Sequence, residues 1–325
     1  MHLAEAKGEI TLPAVPGMLD EYMTLCEDLF ATLGVTFSPD QLAHLRGAIE
    51  GQMAAAYNES PRSNILITYE APVGQTLDYR VAPRWFTVEQ AYNNWVATRE
   101  PPLFGTEPDA RVMALAAEAG APAGCPVLDI GAGTGRNSLA LARRGHPVDA
   151  VEMTGKFAEI IGDEAARAGL DVRVLRRDIF EKLDDLRGDY GLILLSEVVS
   201  DFRNTDQLRR LFELAAHCLA PGGDMVFNTF LPRDGYAPDD AARQFGQQCY
   251  TTIFTRGELA EAVSQLPLHL VADDSVYDYE KTHLPAESWP PTSWYCRWVN
   301  GQDVFDGPPE DSPIEMRWLV YRKLG

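Results

Sequence analysis

Three glycines at alternate positions, Gly131, Gly133 and Gly135, follow the apolar run "PVLDI" and precede Arg136 and Asn137. Glycine takes positive φ readily and leaves no Cβ between a backbone and its ligand. A helix that begins at such a turn offers free N–H groups and a positive dipole end. The stretch therefore reads as strand, tight turn and helix, with something held at the helix N-terminus. Acidic residues fall where they can help. Asp129 sits on the strand before the turn, and Glu152 closes the next apolar run, "PVDAVEM". There its carboxylate can accept two hydrogen bonds from vicinal ribose hydroxyls. Asp178 closes a third run, "VRVLRRD", where it can accept from an exocyclic adenine N–H, with Ile179 beside it to cover the ring. This is chemistry for recognising adenosine. The spacing departs from the dinucleotide fingerprint G-x-G-x-x-G, because Arg136 stands where that motif needs its third glycine. A nicotinamide-dependent oxidoreductase is thereby weakened but stays open, as does a non-catalytic adenosine-binding protein.

Positioning these residues requires an alternation of strands and helices. From residue 110 the chain reads helix "ARVMALAAEAG", strand "PVLDIGA", helix "RNSLALARRG" and strand "PVDAVEM". Helix "GKFAEIIGDEAARAG", strand "VRVLRRD", strand "GLILLSEV", helix "DQLRRLFELAAHCL" and strand "GGDMVFNTF" follow. The strands are nearly continuous apolar runs, as in a parallel sheet covered on both faces. The tail adds helix "RGELAEAVSQL", strand "LHLVADDSVYDY" and a last strand, "MRWLVYRK". Between those two strands lies a Pro/Trp-rich insertion at about 285–313, expected to be without regular structure and either functional or mobile. The first hundred residues differ. They show a helix over Met18–Leu33 ended by Gly34, and a second helix with Ser38 as N-cap and Pro39 at its first position. Strands Ile65–Tyr69 and Leu77–Val81 follow, joined by a Pro-Gly turn, and then an aromatic-rich stretch. The prolines of "REPPLFGTEPD" mark a boundary, giving a segment 1–100 and a main domain 101–325.

The glycine turn, Asp129, Glu152, Asp178 and the strand entry "LAPGGDMVF" together resemble the class I S-adenosylmethionine-dependent methyltransferases. The continuation "GRNSL" is similar to the tellurite-resistance-type branch of that family. The resemblance covers roughly Glu107–Phe230 and the terminal strands. It implies an α/β, Rossmann-like, mostly parallel seven-stranded sheet, with the last strand, Met316–Lys323, inserted antiparallel. It implies S-adenosylmethionine as cofactor and S-adenosylhomocysteine as product. Asp129, Gly131, Gly133, Gly135, Arg136, Asn137, Glu152, Met153, Asp178, Ile179 and Ser196 would form the cofactor site, Arg136 and Asn137 meeting the methionine carboxylate.

In that architecture the residues beyond the fourth strand, Ser196, Glu197, Asp201 and Phe202, face the transferred methyl. Glu197 and Asp201 lie four apart, and a helical turn there would place both on one face. Two such carboxylates suit a cationic amine, or the removal of a proton from the acceptor; otherwise one caps the following helix and the other is solvated. His283 is the best histidine base candidate, since His146 and His217 sit where packing explains them. Trp85, Tyr92 and Trp95 before the main domain, and Trp294 and Tyr295 in the insertion, are candidates to enclose an organic acceptor. Gluing the N-terminal segment in place is their other reading; if they do enclose an acceptor, that segment is a candidate lid.

Composition narrows the partners. The 325 residues carry a formal net charge of −20, which repels nucleic acid and anionic lipid surfaces and favours neutral or cationic small-molecule acceptors. Five widely spaced cysteines without a CxxC pair suggest free thiols in a cytoplasmic protein. No signal peptide, membrane span or metal-ligand spacing is expected, and the oligomeric state is not legible. The reading is an N- or O-methyltransferase acting on a small organic metabolite, with a macromolecular acceptor docked on the insertion as a further possibility.

Overall fold

The computed structural model describes residues 6–71, 77–85, 87–98, 102–181 and 185–325. It divides into two compact units. One comprises residues 1–91 and 238–249, the other 92–237 and 250–325.

The first unit contains β1 (Ala6–Pro13), α1 (Leu19–Thr32), α2 (Pro39–Glu59), β2 (Asn64–Ala71) and β3 (Asp78–Arg84), the strands forming an antiparallel sheet in the order β1-β2-β3. α2 starts as its sequence predicts. Ser38 Oγ accepts the Gln41 N–H (3.3 Å), Gln41 Oε1 accepts the Ser38 N–H (2.8 Å), and Pro39 opens the helix. β1 is an addition to the expected elements: Gly8 and the terminal Pro13 dilute its strand signal, and pairing of Ile10 with Ile67 and Leu12 with Ile65 fixes it. The expected Pro-Gly turn falls at 72–76, outside the described residues. Phe30, Leu45, Ile49, Met53, Ile65 and Ile67 fill the core. A helix at Asp240–Gln248 completes this unit from far along the chain. Gln248 Nε2 donates to the Ser63 carbonyl (2.7 Å), Tyr57 Oη donates to Gln247 Oε1 (2.9 Å), and the buried Arg62 donates to the Gln247 carbonyl.

α3 (Val88–Thr98) spans the boundary between the units in sequence. The second unit continues with α4 (Ala110–Glu118), β4 (Val127–Ile130), α5 (Arg136–Arg143), β5 (Val148–Val151), α6 (Gly155–Ala168) and β6 (Val172–Leu175). β7 (Tyr190–Leu195), α7 (Thr205–Cys218) and β8 (Leu219–Pro232) follow. After the helix Asp240–Gln248, now α8, come α9 (Arg256–Val263), β9 (Leu268–Ser275), α10 (Val276–His283), α11 (Tyr295–Val299) and β10 (Ile314–Lys323). The seven-stranded sheet runs β6-β5-β4-β7-β8-β10-β9. β4, β5, β6, β7 and β8 are parallel, and β10 is antiparallel to both its neighbours, as the resemblance implies. This is an α/β Rossmann-like fold. β4 and β5 are buried at every position, which is why their sequences are unbroken apolar runs around one acid each.

The tail departs from expectation. "LHLVADDSVYDY" does not stay extended: Ser275 caps a helix by accepting the Asp278 N–H (3.2 Å), so the chain turns into α10. The insertion at 285–313 carries α11, whose Tyr295, Trp298 and Val299 are buried in the core on one side of the sheet. From α10, the fully buried Glu280 accepts the N–H groups of Ala110 (2.8 Å) and Arg111 (3.2 Å) and Trp318 Nε1–H (3.0 Å). It thus satisfies the N-terminus of α4 from across the chain, a place where Asp109 stands as N-cap but does not use its own side chain.

Candidate active site

The three glycines of the turn between β4 and α5 all have positive φ: 69° at Gly131, 56° at Gly133 and 86° at Gly135. Their surroundings give them different work. A Cβ at Gly131 would overlap Val198 Cγ2, and one at Gly135 would lie 3.0 Å from Leu139 and 3.1 Å from Ile161. Those two glycines admit protein neighbours. At Gly133 a Cβ would meet only the Phe104 ring at 3.7 Å, so the middle glycine forms the open cradle. Asp129 does not point into that cradle. It is buried and accepts the Ser138 hydroxyl (2.5 Å), strapping β4 to the first turn of α5; burial pushes its carboxyl up to about 7 although Ser138 pulls it back.

Glu152 follows β5 and is 5% exposed. Its Oε2 accepts the Gly133 N–H (2.8 Å) and its Oε1 the Thr154 N–H (2.7 Å). Burial raises this carboxyl, against those N–H groups; the Thr154 hydroxyl and the Met153 N–H also favour its charged form. Met153 beside it is exposed. Asp178 is exposed, and its Oδ1 accepts the Phe180 N–H (2.8 Å); Ile179 packs against the core. Arg177 pairs with Asp185 (2.6 Å) instead of Asp178.

Arg136 is neither solvated nor free. Its guanidinium donates to both oxygens of Asp109 (2.7 and 3.2 Å), to Glu197 Oε1 (3.1 Å), to Ser196 Oγ (3.5 Å) and to the Glu107 carbonyl (3.3 Å). Asn137 turns both ends of its amide to Asp109, donating to Oδ2 (2.8 Å) and accepting the Asp109 N–H (2.9 Å). Asp109 thus occupies these two side chains where the resemblance implied a ligand carboxylate. Burial disfavours the Arg136 charge, but Asp109 and Glu197 more than reverse this and raise its pKa. Burial pushes Glu197 up to about 7, with Arg136 pulling it down.

Glu197 has a φ of 63°, the left-handed region that a non-glycine residue enters at a cost. The turn breaks the helical face that would have joined Glu197 to Asp201. Glu197 goes to Arg136, whereas Asp201, in the 3-10 turn Val199–Asp201, accepts the Tyr92 hydroxyl at 2.7 Å. Phe202 is core, edge-on to Phe180 at 5.2 Å. His283 ends α10, exposed and stacked on Tyr279 at 4.2 Å, with its Nδ1 bonded to the Tyr279 carbonyl. Rings gather over the cradle. Phe104, which faces Gly133, contacts Phe157 (5.7 Å) and Trp95 (6.2 Å), and Trp95 contacts Tyr92 (6.0 Å), Tyr250 (5.3 Å) and Trp294 (6.1 Å). Tyr295 is buried. Burial and then the carboxylates of Glu280, Asp109 and Glu197 hold its proton on strongly. Trp85 is exposed and belongs to the other unit.

Residues 127–223 match the family described as a methyltransferase domain. Over 173 residues the chain is 26% identical to the ubiquinone biosynthesis O-methyltransferases of Escherichia coli strains, O157:H7 among them, covering 51% of this chain and 67% of the relative. The protein is an S-adenosylmethionine-dependent methyltransferase. The methyltransferase fold is also that of geranyl diphosphate C-methyltransferase from Streptomyces coelicolor A3(2), with a TM-score of 0.51 and 18% identity over 66% of this chain and 77% of that one. A geranyl diphosphate methyltransferase solved with S-adenosylmethionine gives 0.51 and 19% over 66% and 85%. The methyltransferase moves the methyl of S-adenosylmethionine to a small organic molecule. Its turn has the form such a cofactor needs: a cradle that a Cβ at Gly133 would narrow, and a buried carboxylate at its rim. Among the described residues no helix is long and apolar enough to cross a membrane.

The sequence pointed to the turn and its acids, but Asp109, Asn228, Phe104 and Tyr250 were missed. Only Asp109 carried a local signal, as the residue before helix "ARVMALAAE".

Proposed function

We propose that the enzyme methylates a hydroxyl oxygen of a neutral, ring-bearing acceptor, with Glu197 as general base. Glu197 is the observation that carries the reading: a carboxylate only 13% exposed, fixed by Arg136 and tuned to about 7, in the turn whose next residue packs on Gly131. A base of that strength is half ionised near neutral pH and is matched to deprotonating a hydroxyl as its oxygen is alkylated. Glu152 and the Gly133 backbone would hold the ribose side of the cofactor, with Met153, Asp178 and Ile179 toward the adenine. Bound S-adenosylmethionine supplies an electrophilic methyl group. Glu197 receives the proton that the acceptor hydroxyl gives up as its O–CH3 bond forms and the S–CH3 bond breaks, the bonding pair staying on the sulfur of the departing S-adenosylhomocysteine. The Tyr295 hydroxyl offers the acceptor oxygen a hydrogen bond, and the rings around Trp95 exclude water and hold the acceptor's apolar body.

A cationic amine is less well served. Glu197 is paired with Arg136, Asp201 with Tyr92, and Glu152 with two backbone N–H groups. The relatives' printed activity, O-methylation, agrees with this. The "GRNSL" likeness to the tellurite-resistance-type branch rests on residues that here have structural partners, since Arg136 and Asn137 bind Asp109 and Ser138 binds Asp129. The test is transfer of labelled methyl to a panel of phenols, aliphatic alcohols and amines, with products identified by mass. Label in phenols is expected, and Glu197→Gln should lower that turnover by about 100- to 10,000-fold while leaving S-adenosylhomocysteine affinity within about twofold. Label confined to amines, or full turnover by the variant, overturns the reading.

A further inference from the structure

Glu197 is held by more than its ion pair. Its backbone N–H donates to Asn228 Oδ1 at 2.7 Å, and its carbonyl accepts the Ser200 hydroxyl at 3.2 Å. Asn228 lies on β8, 2% exposed, between β7 and β10: its neighbour Phe227 is paired with Leu195, and Asn228 itself with Trp318. That rigid seat is set one strand away from the turn it serves. On the other side of the turn, Val198 fills the space that Gly131 leaves. The left-handed φ of Glu197 is therefore imposed from two sides, and such strain persists only where surrounding structure over-determines it. A glycine at 197 would relieve the strain, but it would also remove the carboxylate.

We propose that Asn228 is a positioning residue: its side-chain carbonyl pins the Glu197 N–H in the left-handed turn and so aims the Glu197 carboxylate at Arg136. Asn228 does this without touching the reacting atoms. The inference deepens the base assignment above and rests on it for its functional meaning, but its structural content is testable alone. The charged and titratable groups facing Glu197 are Arg136, Asp109 and Tyr295, contributed by α5, the residue before α4, and α11.

The experiment follows the Glu197 carboxyl carbon and backbone amide by NMR in the full chain. The carboxyl signal is assigned by its loss in Glu197→Gln, and calorimetric S-adenosylhomocysteine binding serves as a check on fold. In Asn228→Ala the Glu197 amide should exchange at least about tenfold faster. The carboxyl should titrate lower, toward the ordinary carboxylate range, as the freed side chain reaches water. Asn228→Asp retains an acceptor for the N–H; exchange should stay slow and the carboxyl should titrate at or above its wild-type position. Should Asn228→Ala bind S-adenosylhomocysteine normally yet leave both signals unmoved, Asn228 is not the pin. If Asn228→Ala does not fold, the Asp variant decides: fast exchange there overturns the proposal, and slow exchange with a raised titration supports it. None of these readouts uses turnover, so failure of the base assignment in the labelled-methyl assay is a separate result.

Discussion

The two units bury different chemistry. Among the described residues, the first buries no carboxylate; its buried polar groups are Ser60, Arg62, Ser63 and Gln247. The second buries Asp109, Asp129, Asp149, Glu152 and Glu280. Each of these accepts hydrogen bonds or an ion pair from the protein. Removing carboxylates from water is costly unless partners are in place. The first unit is a core made by area burial, whereas the second spends stability on fixed acceptors, three of them (Asp109, Asp129 and Glu152) at or bound to the glycine turn and the start of α5.

That contrast can be broken most severely at Arg136. Arg136→Ala leaves the buried Asp109 and the largely enclosed Glu197 without their cation, and should destabilise the second unit by about 3–5 kcal/mol in denaturant melts. A hydrophobic truncation tests the other unit. Ile49→Ala should cost about 2–5 kcal/mol. Because Ile49 lies in the first unit's core, the loss should appear with no change in the pH dependence of unfolding.

The pH dependence itself sharpens the distinction. Asp129 and Glu197 titrate near 7 in the folded chain, against ordinary values of 3.8 and 4.5. Between those values and 7 the folded state retains protons that the unfolded chain has released. Stability contributed by these groups is therefore full below about pH 4 and declines as pH rises to about 7. Asp129→Asn should flatten that decline, measured as unfolding free energy against pH, while substitutions in the first unit should not. The smallest expected effect is Ser38→Ala, which removes one half of the α2 capping box and should cost about 1 kcal/mol.

What was legible in the sequence follows the same division. The second unit's strands were readable because sheets covered on both faces leave continuous apolar runs between glycines and prolines. The glycine turn and Glu152 were readable because backbone and carboxylate needs are met by residues close in sequence. The partners that fix the site were not. Asp109 reaches Arg136 from 27 positions away, Asn228 reaches Glu197 from 31, and Glu280 caps α4 from 170. Helical spacing put Glu197 and Asp201 together; a single left-handed residue separated them, and nothing local announces a conformation imposed by a neighbouring strand. The strand expected through Tyr279 ended at Ser275 because a serine cap competes with extension, a choice that apolar pattern alone does not reveal.

The helix α8 carries a consequence for biosynthesis. The first unit's buried Arg62 finds its carbonyl partner on Gln247, beyond β8 in the chain. At roughly 5–20 residues per second, translation from Arg84 to Asp240 takes on the order of ten to thirty seconds. Throughout that interval the nascent amino-terminal unit lacks its closing helix, and with it the Gln247 carbonyl that Arg62 donates to. The amino-terminal unit can therefore reach its final form only after β8 has been made, although most of its residues leave the ribosome before the glycine turn does.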